Sequence, residues 1–115
     1  MKICYRSTKH EKLVSNKRKL MQKYWDINTE AILSSIGELI SADSLSHIPL
    51  AIRPHALQGV NSLIFTVDIK HPYRLLFVPI WEYDNSNPIT TIKEVEIVEL
   101  SINTHDNKFN ASNYI

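Results

Sequence analysis

Four side chains in the second half of the chain are of types that do chemistry on phosphate esters: Arg53 and His55 in RPHALQG, Arg74 in KHPYRLLFVP, and His105 in NTHD. Arg74 stands between a tyrosine and a run of large apolar residues, where a buried strand is expected. A guanidinium fixed on a sheet keeps its charge, and its planar fork matches two phosphate oxygens. Histidine titrates near neutrality and serves as either proton acceptor or proton donor. An antiparallel sheet sets strands distant in sequence side by side, so two histidines and an arginine can share one face. Each residue also has a plainer reading. Arg74 can pair with Asp68 or Glu99 at the sheet rim, His55 can be a surface or capping residue behind a proline, and His105 can simply end a strand. His10, His47 and His71 read as structural or surface residues, and Trp25 and Trp81 as packing. No histidine spacing marks a metal site, and Cys4, the only cysteine, permits neither an internal disulfide nor a cysteine zinc cluster.

The elements that must position these groups follow from periodicity. KICYRS alternates and reads as a first strand. Thr8 and Glu11 have capping-box spacing and open a basic helical segment with Leu13, Leu20, Met21 and Tyr24 on its apolar side. Ser15-Asn16 leaves open whether this is one helix or a turn and a second start. Residues 27–45 form the clearest helix: Ile32, Leu33, Ile36, Leu39 and Ile40 follow i, i+3, i+4 spacing, and Asn28 or Thr29 caps its start. Pro49 and Pro54 then exclude helix. Beyond residue 55 the period becomes two. Leu63, Phe65, Val67 and Ile69 alternate with Ser62, Ile64, Thr66 and Asp68. After the turn at Lys70-His71-Pro72, Tyr73, Leu75 and Phe77 share one face of a strand and Arg74, Leu76 and Val78 the other. A last strand spans about 90 to 102, with a slip near Val98 that predicts a bulge. The expectation is an α+β domain, N-terminal helices packed on a small antiparallel β-sheet.

The 115 residues suffice for one domain, assigned to 1–106, with 107–115 as a polar, loose tail. No apolar run is long enough to span a bilayer, and the start lacks the apolar core of a secretory signal, so a cytoplasmic protein is expected. A net charge of +1 conceals an asymmetry. Residues 1–25 hold eight basic side chains and one acid, and residues 26–115 hold five basic and eleven acidic. Segregation of this kind marks either a solvated helix face or a surface for a polyanion or an acidic partner.

Several stretches together resemble the RelE/ParE superfamily of bacterial toxins, in its HigB-like (plasmid maintenance killer) branch. RPHALQG is similar to that branch's arginine, histidine, leucine, lysine, glycine stretch. FTVDIKHPYRLLFVP is similar to its strand–turn–strand, KEVEIVELSINTHD to its last strand, and ADSLSHIPL to the end of its second helix. The resemblance covers roughly residues 26–106 and implies a RelE-like fold. It also implies the toxin of a type II toxin–antitoxin pair: an endoribonuclease that cuts mRNA on the ribosome without a metal or other cofactor. A cognate helix-turn-helix antitoxin would neutralise it. RNA cleavage of this kind uses the ribose 2′-OH as nucleophile and needs a base, an acid and a fixed cation. The resemblance assigns Arg74 to the phosphate, His55 and His105 to proton transfer or RNA orientation, and Arg53 and Gln58 to RNA binding. Lys17, Arg18 and Lys19, with Lys12 and Lys23, are expected on ribosomal RNA phosphates.

Two positions depart from the pattern. Gln58 replaces a lysine and supplies no charge, and Thr104 replaces a tyrosine and cannot stack on a base. These substitutions favour, as alternatives, a catalytically inactive RelE-fold binding module. A ParE-like gyrase inhibitor shares the fold, but that branch lacks the histidines.

Overall fold

The structure, a computed structural model, describes residues 1–57, 64–80 and 89–114. Its elements are β1 (Lys2–Tyr5), α1 (Thr8–Val14), α2 (Lys17–Ser41), β2 (His55–Ala56), β3 (Phe65–Asp68), β4 (Tyr73–Pro79) and β5 (Glu94–Asn103). Single 3-10 turns lie at Leu45–His47, Leu50–Ile52, Ile89–Thr91 and Ala111–Tyr114. The described strands form one sheet in the order β1-β5-β4-β3-β2. The α+β expectation holds, but the sheet is mixed rather than wholly antiparallel, because β1 runs parallel to β5. No hairpin ties these two strands together, and alternation in a sequence carries no information on strand direction.

Local chemistry sets the helix limits. Ser7, not Thr8, caps α1, its hydroxyl accepting from the His10 amide at 3.4 Å. Asn16 caps α2 by accepting from the Lys19 amide at 3.3 Å, so the basic segment is two helices. α2 comprises two helical stretches on either side of a kink at Trp25, so the helix expected from residue 27 is its second stretch, but Thr29 is fully buried inside it instead of capping it. It ends at Ser41, and Leu45 is buried in the following 3-10 turn. Trp25 breaks α2 with φ 67° and ψ 164°, a region adopted almost only by glycine. Its side chain is 80% exposed, which corrects the packing role expected for it.

Leu20, Ile32, Ile36 and Leu39 of α2 bury against Phe65, Val67, Leu75, Phe77, Val95, Ile97 and Leu100 of the sheet. Phe65 and Phe77 pair across β3 and β4, ring centroids 5.9 Å apart. Ile40, assigned by periodicity to this face, is instead exposed. The expected slip in β5 is real. Arg74 pairs Ile102, Leu76 pairs Glu99 and Phe77 pairs Ile97, so β5 carries two extra residues over that stretch. Ile97 and Leu100 thereby both reach the helix side, while Val98 joins Leu76 and Ile64 on the other.

That other side is not open. Phe109, Ala111 and Tyr114 pack with Leu57, Val78 and Ile102 around Ile64, Leu76 and Val98. The tail expected to be loose is docked, because fully buried Leu76 needs cover on the face away from the helices. Polar contacts fasten it. Arg6 donates to the Tyr114 carbonyl at 2.6 Å, and the Tyr114 hydroxyl donates to Glu99 at 3.0 Å. Glu99 also faces His10 at 3.5 Å. Burial first and the Glu99 charge second push the hydroxyls of Tyr24 and Tyr114 up to about 12. Burial likewise holds His10 below the usual histidine range, outweighing the attraction of Glu99.

Two outcomes are expected. Trp25→Gly relieves strain of roughly 1–3 kcal/mol against a glycine entropy cost of about 0.5–1 kcal/mol. Urea unfolding should therefore show a gain on the order of 1 kcal/mol; a loss would mean the indole is held by packing. For His10, the unfolded chain binds the extra proton first, so its contribution is present above pH 6.5 and drains away as pH falls below that value. His10→Gln should flatten the decline in unfolding midpoint on mild acidification, and an unchanged slope would place the titrating group elsewhere.

Candidate functional site

The sheet face away from the helices carries two neighbouring rows. His55 on β2 stands opposite Thr66 on β3, which stands opposite Leu76 on β4. One row on, Asp68 at the end of β3 stands opposite Arg74 near the start of β4. Directly opposed residues share a face, so Arg74, Asp68, Thr66 and His55 meet by register alone. The Ser35 hydroxyl of α2 donates to the Asp68 carbonyl at 3.2 Å, pinning the end of β3 from below.

The side chains are linked. Arg74 Nε lies 3.6 Å from Asp68 Oδ1, and Arg53 Nη1 lies 3.8 Å from Asp68 Oδ2. Arg74 Nη1 is 3.2 Å from His55 Nε2, and the Thr66 hydroxyl is 3.4 Å from the same nitrogen. His55 Nδ1 lies 2.7 Å from the Arg53 carbonyl. A carbonyl only accepts, so Nδ1 carries the proton and the lone pair of the neutral ring is on Nε2, which accepts from the guanidinium. This contact depends on Arg53 taking a left-handed backbone conformation, φ 52° and ψ 59°, which closes the 3-10 turn before it.

Two guanidiniums and one carboxylate leave the cluster net positive, suited to an anion. Arg74 is held firmly, its side chain 14% exposed, while that of Arg53 is 66% exposed. The cap formed by the tail lies over Leu76 and Val98 and reaches Ile102, which stands opposite Arg74, so among the described residues the cluster sits at the margin of that cap.

Of the residues singled out in the sequence, Arg53, His55 and Arg74 come together. The rim ion pair with Asp68 is present as well, so the structural and chemical readings of Arg74 coexist. His105 does not join them. It lies in the exposed turn after β5, its amide donating to Asn103 at 3.0 Å, and its ring has no hydrogen-bond or ion-pair partner among the described residues. Pairing of Asn103 with Tyr73 still puts this turn at the cluster's end of the sheet. The Thr104 hydroxyl is buried without a partner among the described residues. Gln58 lies outside the described residues. Lys17, Arg18 and Lys19 are exposed on the first turn of α2, away from the cluster, and Lys17 is paired with Glu30 at 2.7 Å. Among the described residues no group of three or more His, Cys, Asp or Glu side chains is placed to hold a metal ion. No described helix is long and apolar enough to cross a membrane.

Sequence reasoning treated Asp68 only as an ion-pair partner and passed over Thr66 altogether. Strand register would have found both, since they face Arg74 and His55. No family model, no curated protein and no solved structure matches this chain.

If Asp68 orients Arg74, a double-mutant cycle with Asp68→Ala and Arg74→Ala should return a coupling of about 1 kcal/mol in unfolding free energy. Additive single effects would show that the guanidinium is held by something else.

Proposed function

We propose that the chain is a HigB-like toxin of the RelE/ParE superfamily, with a RelE-like arrangement of helices and sheet. On this reading it cleaves mRNA on the ribosome and is neutralised by a cognate helix-turn-helix antitoxin. The observation carrying this reading is the 3.2 Å contact between Arg74 and His55, from the two strands that flank β3, with the histidine tautomer fixed by the Arg53 carbonyl. Arg53, His55 and Arg74 are the residues that the sequence resemblance names.

The chemistry uses the ribose 2′-OH. The lone pair of His55 Nε2 takes its proton, the 2′-oxygen bonds to phosphorus, and the phosphorus–O5′ bond breaks. The products are a 2′,3′-cyclic phosphate and a 5′-hydroxyl. Arg74 gives charge-assisted hydrogen bonds to the phosphorane oxygens, and in doing so turns away from Nε2, freeing it to act as base. Asp68 keeps Arg74 pointing outward between turnovers. His105, in a turn at the same end of the sheet, supplies the proton to O5′ once RNA and ribosome draw it in. Arg53 and the basic start of α2, with Lys17, Arg18 and Lys19, hold RNA phosphates.

A second reading has a specific observation behind it. The ring of His105 has no hydrogen-bond or ion-pair partner among the described residues and Arg74 is already engaged by Asp68, as suits a binding module of the same architecture without catalysis.

Induction of the wild type in bacteria, with mapping of mRNA 5′ ends, separates the two. Growth arrest with cuts that track the reading frame is expected, with cleavage falling by about 10²–10³ in Arg74→Ala, the scale of losing a fixed oxyanion donor. Arrest without cuts would move the target elsewhere, and neither arrest nor cuts from soluble protein would leave the binding module.

A further inference from the structure

Trp25 is out of place as a packing residue. Its backbone occupies a region that costs most side chains on the order of 1–3 kcal/mol, and its indole stands in solvent instead of repaying that cost by burial. It lines an open groove of about 700 Å³ together with Met21, Asp26, Asn28, Lys70, His71 and Tyr73. Tyr73 is also exposed, so the groove offers two ring faces to solvent. A second concavity, lined by Lys17, Arg18, Met21, Gln22 and Asp26, adjoins it through Met21 and Asp26.

The charge around these rings is cationic. Arg18 and Lys70 have no ion-pair partner among the described residues, and Asp26 is the one carboxylate in either lining. The groove lies on the helix side of the sheet and borders the turn beyond which the cluster described above occupies the opposite face. Tyr73 immediately precedes Arg74 in β4, and Lys70 and His71 belong to the turn that joins Asp68 to Arg74.

We propose that the Trp25–Tyr73 groove is a base-stacking platform for single-stranded RNA, which carries a strand from the basic start of α2 to the turn between β3 and β4. Exposed rings flanked by unpaired cations are how proteins hold single strands without reading their sequence, since every base has a π-face and every linkage a phosphate. A duplex, whose bases are already stacked and paired, offers the rings nothing. The kink at Trp25 turns the indole out of the helix packing, which explains a bulky residue at a glycine-like position. Only the identity of the strand, an mRNA, rests on the function proposed above; stacking itself requires no cleavage.

The test uses a Trp81→Phe protein, in which Trp25 is the sole tryptophan. It is titrated with an oligoadenylate of about twelve nucleotides, within the span such surfaces cover. Quenching of the indole emission is expected, weakening as salt rises, with little response to a duplex of the same length. In the otherwise wild-type chain, Trp25→Ala should weaken oligonucleotide binding by roughly fivefold or more, the least that one stacked base contributes. Trp25→Phe, which keeps a ring, should restore most of it. Equal affinity in wild type and Trp25→Ala, or an indole blind to the oligonucleotide, overturns the proposal. So does a blue shift induced by an acidic amphipathic peptide but not by RNA, which would make the groove a protein-docking surface. If quenching holds while induced cells show no mRNA cuts, the platform stands and the nuclease reading alone fails.

Discussion

β4 is buried on both faces, and that constraint governs everything around it. Leu75 and Phe77 fill the core beneath α2, while Leu76, fully buried between them in sequence, points away from the helices and needs its own cover. The tail provides it. A sheet that needs one layer on each side cannot leave either face free along its length, and in β3 and β4 the charged groups stand only at the strand ends. Arg74 is the second residue of β4 and Asp68 the last of β3, and they pair in register where burial is no longer complete. The candidate site lies at that end of the sheet because a guanidinium has no tolerable place further along.

Within that end, the ion pair and the chemistry support each other. A guanidinium with no partner would sample many rotamers, and one fully locked to a carboxylate would have nothing left for a ligand. At 3.6 Å the Asp68–Arg74 contact is looser than a bidentate pair. It sets direction while a second nitrogen reaches His55. The rim salt bridge and the proposed phosphate grip are therefore compatible in one arrangement. His55 depends in turn on Arg53, whose left-handed backbone brings its carbonyl to Nδ1.

Periodicity revealed the parts whose cause is periodic. The i, i+3, i+4 stripe of Ile32, Ile36 and Leu39 and the alternation of Phe65 and Val67 were legible because burial against one partner imposes those spacings. The meeting of His55 and Arg74 follows from the same alternation, since β2 and β4 flank β3 and both residues lie on its face away from the helices. Features that depend on distant partners were not legible. The direction of β1 is settled by β5, more than eighty residues later in the chain. Docking of the tail is settled by the apolar gap over Leu76 and Val98, invisible in the polar look of NKFNASNYI. The choice of Ser7 over Thr8 as cap is a one-residue matter that capping-box spacing leaves undecided. His105 follows the last strand as expected, in a turn at the cluster's end of the sheet, but the orientation of a ring in an exposed turn is not set by strand alternation.

Strand register also explains which of the N-terminal charges face outward. β1 lies beside β5 with Lys2 opposite Glu94 and Cys4 opposite Glu96, and the acids of β5 meet Lys2 at 3.8 Å and Arg6 at 2.8 Å. Those pairs are partly exposed and contribute little to stability, yet they consume the positive charge nearest the sheet. Lys17 is likewise matched by Glu30. Lys12, Arg18, Lys19 and Lys23 make no ion pair among the described residues, and all lie on α1 or the first turns of α2. The excess charge of the first twenty-five residues is thus not spread over the molecule. It is gathered on α1 and the first turns of α2, and of these cations Arg18 borders the concavity that adjoins the Trp25 groove through Met21 and Asp26. Charges exposed in this way act on a passing polyanion through solvent, so any attraction they exert weakens as salt rises.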